Sequence, residues 1–277
     1  MVAPAPRLAA LLRRVEAAGV RATERHWALM PAEAARLLRP QVARVGDGLS
    51  TLLRTSDALR VNRVIGLGHA GDAKATMIDD LIARYRTAGL KRFSVQLGPG
   101  PQMEQIAGWL KARGFARRGG TLLLLRDLRR PIPRVSSALR VSRATRVDHE
   151  AILRIHREAF ALPASRSAWS LAALRTRESE TFVARDGRTP VAVGTLRVDG
   201  RLAWLGGGAT RTSWRRSGAH AAIIAARLRR AVSVRCRWAW AETGIPTPGR
   251  PDGSRRNLVR LGFEPVCVKP VFVWSEG

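Results

Sequence analysis

The run Trp214-Arg215-Arg216-Ser217-Gly218-Ala219-His220-Ala221-Ala222 has the make-up of a device for holding an anion. The first backbone N–H groups of a helix have no partner within it and lie at the positive end of its dipole. A turn containing glycine lets several such groups converge on one phosphate. Here Gly218 and Ala219 leave the backbone uncovered, while Arg211, Arg215 and Arg216 supply charge-assisted bonds. No Gly-Lys-Ser/Thr follows, so this is not a Walker loop. Nor is it a dinucleotide fingerprint, because Gly206-Gly207-Gly208 precedes the turn and lacks the required spacing.

Such a loop needs a strand before it and a helix after it. Residues 202–210 read as a strand running into glycines, and residues 219–232 as a helix with Ile224, Leu228 and Ala231 on one face. A strand at 238–243, a short helix at 254–261 stopped by Gly262-Phe263, and a strand at 266–274 follow. Upstream lie a strand at 139–144 and a helix capped by Asp148 that carries Ile152, Ile155, His156 and Phe160. Residues 181–184 and 190–198 alternate like a hairpin about Asp186-Gly187-Arg188.

The first half repeats this order. A strand at 62–67 ends in glycines, and a helix follows with Met77, Ile78, Leu81, Ile82 and Tyr85 on its apolar face. Asp72 is its expected N-cap and Gly89 the residue just past its end. Then come a strand at 92–97, a helix with Met103, Ile106, Ala107 and Leu110 closed by Gly114-Phe115, and a strand at 121–125. Before residue 62 a helix around 25–38 and strands near Val42 and Leu49 are expected. Residues 129–137, with Pro131 and Pro133, read as a linker. The expected organisation is two copies of one unit, residues 1–130 and 138–277.

Over roughly residues 139–274 the chain resembles the GNAT superfamily of N-acetyltransferases. The family's loop is Arg/Gln-x-x-Gly-x-Gly/Ala between a central strand and a helix; Arg215 and Gly218 match it, whereas His220 stands where the family has a small residue. Arg256-Asn257-Leu258-x-Arg260-Leu261-Gly262-Phe263 is similar to the family's penultimate helix with its Gly-Phe end. The resemblance implies an α/β protein of two tandem GNAT-like domains, each a mixed, mostly antiparallel twisted sheet flanked by helices. It implies acetyl-CoA as co-substrate, held by Ala209, Thr210, Arg211, Arg215, Arg216, Ser217, Gly218, Ala219, His220 and Asn257, with residues 239–243 splayed from the neighbouring strand to admit pantetheine.

The implied reaction is transfer of an acetyl group to a primary amine of a small-molecule or peptide acceptor, by direct attack on the thioester. A backbone N–H at Gly208-Ala209-Thr210 would stabilise the carbonyl oxygen. The family's usual acid is a Tyr four residues before the Gly of Gly-Phe, and that position here is Leu258. A thiol with a pKa of about 8.5 can leave as thiolate without it. Glu242, at the end of the splayed strand, is the candidate base, or else a surface carboxylate paired with arginine. His220 touches a phosphate or caps the helix, and Asn257 bonds the cofactor or a neighbouring loop. His156, Tyr85 and Cys267 read as core residues, and Trp214 as packing. In the first half the turn His69-Ala70-Gly71-Asp72-Ala73 has no arginine, and Asp72 would repel a diphosphate. The first unit is therefore expected to be degenerate, without cofactor, and to help shape the acceptor cleft as in tandem members of the superfamily.

The formal charge is +28, and 45 of the 49 basic residues are Arg. They are scattered along the chain and not gathered in a tail or stripe, which favours a compositional origin over nucleic-acid binding. Even so, such a charge steers anionic ligands towards the protein. Two cysteines make neither a disulfide framework nor a metal cluster. No apolar run is long enough to cross a bilayer and no secretory signal is visible, so a cytoplasmic protein without membrane partners or metals is expected. Two rival readings are a non-catalytic acyl-CoA-binding sensor, suggested by Leu258, and an acetyltransferase for a nucleic-acid-associated substrate, suggested by the charge.

Overall fold

The computed structural model describes residues 5–160, 179–247, 249 and 252–276. The chain divides into two compact units, Met1–Thr121 with Cys267–Gly277, and Leu122–Val266. Among the described residues there are seven α-helices, and no helix is long and apolar enough to cross a membrane.

The first unit contains α1 (Pro6–Ala28), α2 (Ala32–Leu38), β1 (Gln41–Val45), β2 (Gly48–Leu52), β3 (Arg63–Ile65), α3 (Thr76–Thr87), β4 (Arg92–Gln96) and α4 (Met103–Ala112). Strands β1, β2 and β3 pair antiparallel in sequence order. β3 and β4 are parallel, Arg63 opposite Ser94 and Ile65 opposite Gln96, so α3 must cross over between them. On the far side of β4 lies the end of the last strand, β11 (Glu264–Ser275), with Val271–Ser275 antiparallel to Arg92–Gln96. Tyr85 and Phe93 stack at 3.9 Å in the core, and the Tyr85 hydroxyl donates to the Thr51 carbonyl at 2.8 Å.

The second unit begins within β5 (Ala116–Asp127). It continues with β6 (Arg140–Arg143), α5 (His149–Phe160), β7 (Ser179–Asp186), β8 (Thr189–Asp199), β9 (Leu202–Thr210), α6 (Ala219–Ser233), β10 (Trp238–Gly244) and α7 (Gly253–Arg260). The strand order is β5-β10-β9-β8-β7-β6. β6 to β9 form an antiparallel meander, and β10 lies parallel to β9 across the α6 connection. Each unit is thus a mixed, mostly antiparallel sheet in which one parallel pair is spanned by a helix. The recurrent Gly-Phe pairs have one structural meaning. Gly114 and Gly262 take φ of 80° and 83°, and the next N–H reaches back to Leu110 or Leu258 at 3.1 Å, which stops α4 and α7 alike.

Several expectations need amending. The division differs from 1–130 and 138–277, because Phe272 and Trp274 of β11 pack into the first unit's core while Leu124 and Leu128 pack into the second's. An apolar strand buried on both faces does not name its partner sheet. The single helix expected around 25–38 is two, broken at Pro31, whose ring cannot follow a preceding turn. Asp72 does not cap α3, whose N-cap is Ala75 with no side-chain bond. Its carboxylate instead accepts the Asp47 N–H at 3.3 Å. Asp148 is not itself the cap: Thr145 caps the short 3-10 turn Arg146–Asp148 ahead of α5, and Asp148 closes the capping box by accepting the Thr145 N–H at 2.8 Å while pairing with Arg185.

Candidate functional site

After β9 the chain makes a short 3-10 turn at Thr212–Trp214 and reaches the loop. Arg215 is extended, Arg216 has φ 69° and Gly218 has φ 80°, so the backbone alternates in hand over these residues. Such alternation turns successive N–H groups towards one point. The positive φ is what calls for glycine at 218, since a methyl carbon there would meet only the Ser136 carbonyl at 3.7 Å and the Ser137 hydroxyl at 4.0 Å. Arg216 adopts the same region without that freedom, a strain of about 1 kcal/mol. Gly218 caps α6 with no side-chain bond, and no acidic residue occupies the first turn. Arg215, Arg216 and Ser217 are exposed, and the Ser217 hydroxyl donates to the Trp214 carbonyl at 2.7 Å. The loop is therefore a bare, cationic helix start. Arg211 stands apart from it, because Glu158 pairs with its guanidinium at 3.6 Å and accepts the Thr212 N–H at 2.5 Å.

Beside the loop the sheet opens. The parallel ladder runs only from Leu202 to Trp204 on β9 and from Trp238 to Trp240 on β10. Both strands continue, to Thr210 and Gly244, without extending it. Trp204 and Trp240, their rings 6.1 Å apart, mark the last paired row. Past that row, β9 bulges against β8. Thr195 faces Gly206 and Val193 faces Ala209, so Gly207 and Gly208 oppose Gly194 alone. A bulge leaves its extra residue outside the ladder. Gly207 adopts φ 59°, and a Cβ on Gly208 would lie 2.9 Å from His220 Nε2. Ala209 and Thr210 end the strand beside this opening. On β10, Thr243 Oγ1 is buried and has no hydrogen-bond partner. Beyond Trp204 and Trp240, β9 and β10 thus run on unpaired with each other, and β9 leads into the bare start of α6.

His220 points inward, away from the exposed loop. Its Nε2 lies against Gly208 and its Nδ1 is 3.2 Å from Asn257 Nδ2, which joins α6 to α7. Burial, helped by the Arg227 charge, pushes its pKa down to about 4. The imidazole is therefore neutral at pH 7, and Nδ1 accepts from Asn257. His156 on α5 is buried as expected, with Nε2 3.2 Å from the Gly207 carbonyl. Burial outweighs that carbonyl and lowers its pKa too. Arg227 was not singled out by sequence. It is 2 % exposed, and Nη1 donates to the Thr195 carbonyl at 2.9 Å and the Gly206 carbonyl at 3.0 Å. The signal was present, since 227 falls between Ile224 and Leu228 on the apolar face, where a charge must have a partner.

The two depressed histidines predict an acid-labile second unit. Unfolded histidine binds protons near pH 6.5 and the buried ones do not, so stability is complete above 6.5 and is lost as pH falls towards about 4. For His220 alone the full effect is about 3 kcal/mol. Melting curves between pH 7 and 4.5 should fall less steeply for His220→Gln than for the native chain; equal slopes would rule His220 out as the cause.

Glu242 is half-buried on β10 beyond the paired row, and strand alternation sets it with Trp238 and Trp240 on the face away from α6. Leu258 is 4 % exposed in the core beneath α6. Trp214 packs against that same core, as expected. No group of three metal-ligating side chains occurs among the described residues.

The corresponding turn of the first unit is closed by its own side chains. Asp47 accepts the N–H of Gly68 at 2.6 Å and that of Ala70, and lies 3.2 Å from His69 Nδ1. A carboxylate thus takes up the free N–H groups of this turn. Between the ends of β3 and β4, Glu16 of α1 fills the space. Its Cδ would be 2.5 Å from a Cβ on Gly98, and Oε1 3.8 Å from one on Gly66. Glu16 is paired with Lys269 at 2.8 Å, both side chains almost wholly buried.

No protein-family model matches the sequence, and no curated protein matches it. Solved structures do. A GCN5-related N-acetyltransferase from Kribbella flavida superposes with a TM-score of 0.65 at 18% identity, over 95% of this chain and 96% of that one. One from Sphaerobacter thermophilus gives 0.62 at 12% identity, over 83% and 80%. A tandem GNAT protein from the clavulanic acid biosynthesis pathway gives 0.61 at 15% identity, over 85% and 82%. At such identities the likeness concerns the fold. The chain has the fold of the GCN5-related N-acetyltransferases.

Proposed function

We propose that the second unit binds acetyl-CoA and transfers its acetyl group to a primary amine of a small-molecule or peptide acceptor. The observation that carries this reading is the bare cationic start of α6, which follows β9 where its pairing with β10 has ended. Arg215, Arg216 and the N–H groups of residues 217–220 would hold the diphosphate. Thr243 would bond the pantetheine arm between the two strands. The thioester supplies an activated carbonyl carbon and a thiolate leaving group. The N–H of Gly208, left out of the ladder by the bulge, would polarise the carbonyl, the amine would attack it, and the carbon–sulfur bond would break. Glu242 would take the proton that the amine gives up. Leu258 offers none to sulfur, so CoA departs as thiolate.

The first unit is proposed to bind no cofactor, because Asp47 and Glu16 stand in both parts of its equivalent site. A second reading is a non-catalytic acyl-CoA sensor, which the apolar burial of Leu258 favours. Free-thiol release from acetyl-CoA across a panel of primary amines separates the two. The proposal expects release with some amines, falling at least about a hundredfold in Glu242→Gln while acetyl-CoA affinity stays within about twofold. Undiminished release would remove Glu242 from the mechanism. Binding with no turnover on any amine would leave the sensor.

A further inference from the structure

Arg227 is an anomaly that the proposed function does not use. It is a fully buried cation, and among the described residues no carboxylate lies within ion-pairing distance of it. Burial pushes its pKa down to about 9, so it stays charged at neutral pH. A methionine would fill the same space among Ile223, Ile224 and Leu228 without the desolvation. The charge therefore calls for a use at this place.

Its hydrogen bonds are specific to the bulge. Nη1 reaches the carbonyls of Thr195 and Gly206, the two residues that face each other where the β8–β9 ladder slips, and Nε leans on the Ile223 carbonyl at 3.3 Å. Strand β8 makes room for it, since a Cβ on Gly194 would lie 2.8 Å from the Arg227 Cζ and 2.6 Å from Ile223 Cγ2. From the other face of the sheet, His156 Nε2 holds the next carbonyl, that of Gly207. Two successive peptide groups of the bulge are thus fixed from opposite sides. Arg227 Nη2 comes within 3.9 Å of a Cβ position on Gly208, so the charge lies close to the bulge.

We infer that Arg227 is a positioning residue for acyl transfer, an inference that rests on the acetyltransferase reading above. With His156 it sets the bulge so that the Gly208 N–H, outside the ladder, faces the thioester carbonyl. Its charge deepens the positive potential where oxygen becomes negative as the amine attacks. The effect belongs to the transition state, so it acts on kcat and not on cofactor affinity.

The test uses the whole chain with Arg227→Met, Arg227→Lys and Gly194→Ala. Isotope-edited infrared spectra of bound [1-13C]acetyl-CoA read carbonyl polarisation without requiring turnover. The native chain should lower the carbonyl stretching frequency. Arg227→Met should return it towards the free value, cut kcat by about a hundredfold, and leave KM and Kd for acetyl-CoA within about threefold. Arg227→Lys should recover most of the loss. Gly194→Ala displaces the guanidinium without removing its charge, should reproduce part of the loss, and serves if the Met variant does not fold. A Met variant with the native band and native kcat overturns the inference. So does a native chain that binds acetyl-CoA without shifting the band, while leaving the cofactor reading intact. A native chain that does not bind acetyl-CoA defeats the cofactor reading and this inference with it.

Discussion

Replacing Arg215 by Ala together with Gly218 by Asp is expected to weaken acetyl-CoA binding at least about a hundredfold. Removing one charge-assisted bond to a phosphate costs about 1.5–3 kcal/mol. A carboxylate over the N–H groups adds repulsion, and about 2.7 kcal/mol already corresponds to a hundredfold in Kd. Fold should be largely spared. Arg215 is exposed, while an Asp at 218 must adopt φ 80°, a strain of about 1 kcal/mol that lowers the melting temperature only modestly. The first unit displays the same substitution by a different route, since Asp47 accepts two N–H groups of its equivalent turn. Calorimetry with acetyl-CoA, run beside circular-dichroism melting, checks both halves of the expectation. An unchanged Kd would dissociate the loop from the cofactor.

Lys269→Met should destabilise the first unit by about 3–5 kcal/mol, the cost of leaving a buried carboxylate without its cation. The carboxylate is Glu16, which has no route to solvent from inside α1 with 4 % of its side chain exposed. Lys269 belongs to the segment Cys267–Gly277 that completes the first unit's sheet. The loss should therefore register as faster hydrogen exchange in β4, the neighbour of that segment, as well as in a lower urea midpoint. Glu16→Leu combined with Lys269→Met should recover much of it, because an apolar pair of similar volume carries no desolvation penalty. Equal instability of the single and double variants would show that the strand's packing, and not the ion pair, sets the stability.

How far the molecule could be read from residues alone depends on the range of the interaction. Elements that bury a face on themselves were legible: the apolar stripe of α6, the β7–β8 hairpin around Gly187, and the Gly-Phe stops of α4 and α7 all follow from local periodicity and turn chemistry. The glycine-bearing helix start was legible for the same reason, since Arg215, Gly218 and the start of α6 are contiguous. What escaped lies at long range. β11 looks like any apolar strand, and only the register of Val271–Ser275 against β4 assigns it to the first unit. Asp47 and Glu16 are remote in sequence from the turn they fill, so spacing alone points to Asp72 and not to the carboxylate that accepts the turn's N–H groups. His220 was expected at the loop or the helix cap, whereas Asn257 and Gly208 draw its ring inward. The Arg227 bonds to strand carbonyls could not be read from spacing, although its place on an apolar face announced a buried charge.

Native mass spectrometry of the whole chain in excess acetyl-CoA measures directly what the two unlike halves imply. One molecule should bind per chain, and none to the Arg215→Ala/Gly218→Asp variant. Two bound molecules would mean that Asp47 and Glu16 do not close the first unit, and none bound to the native chain, or one retained by the variant, would mean that the α6 loop is not the cofactor site.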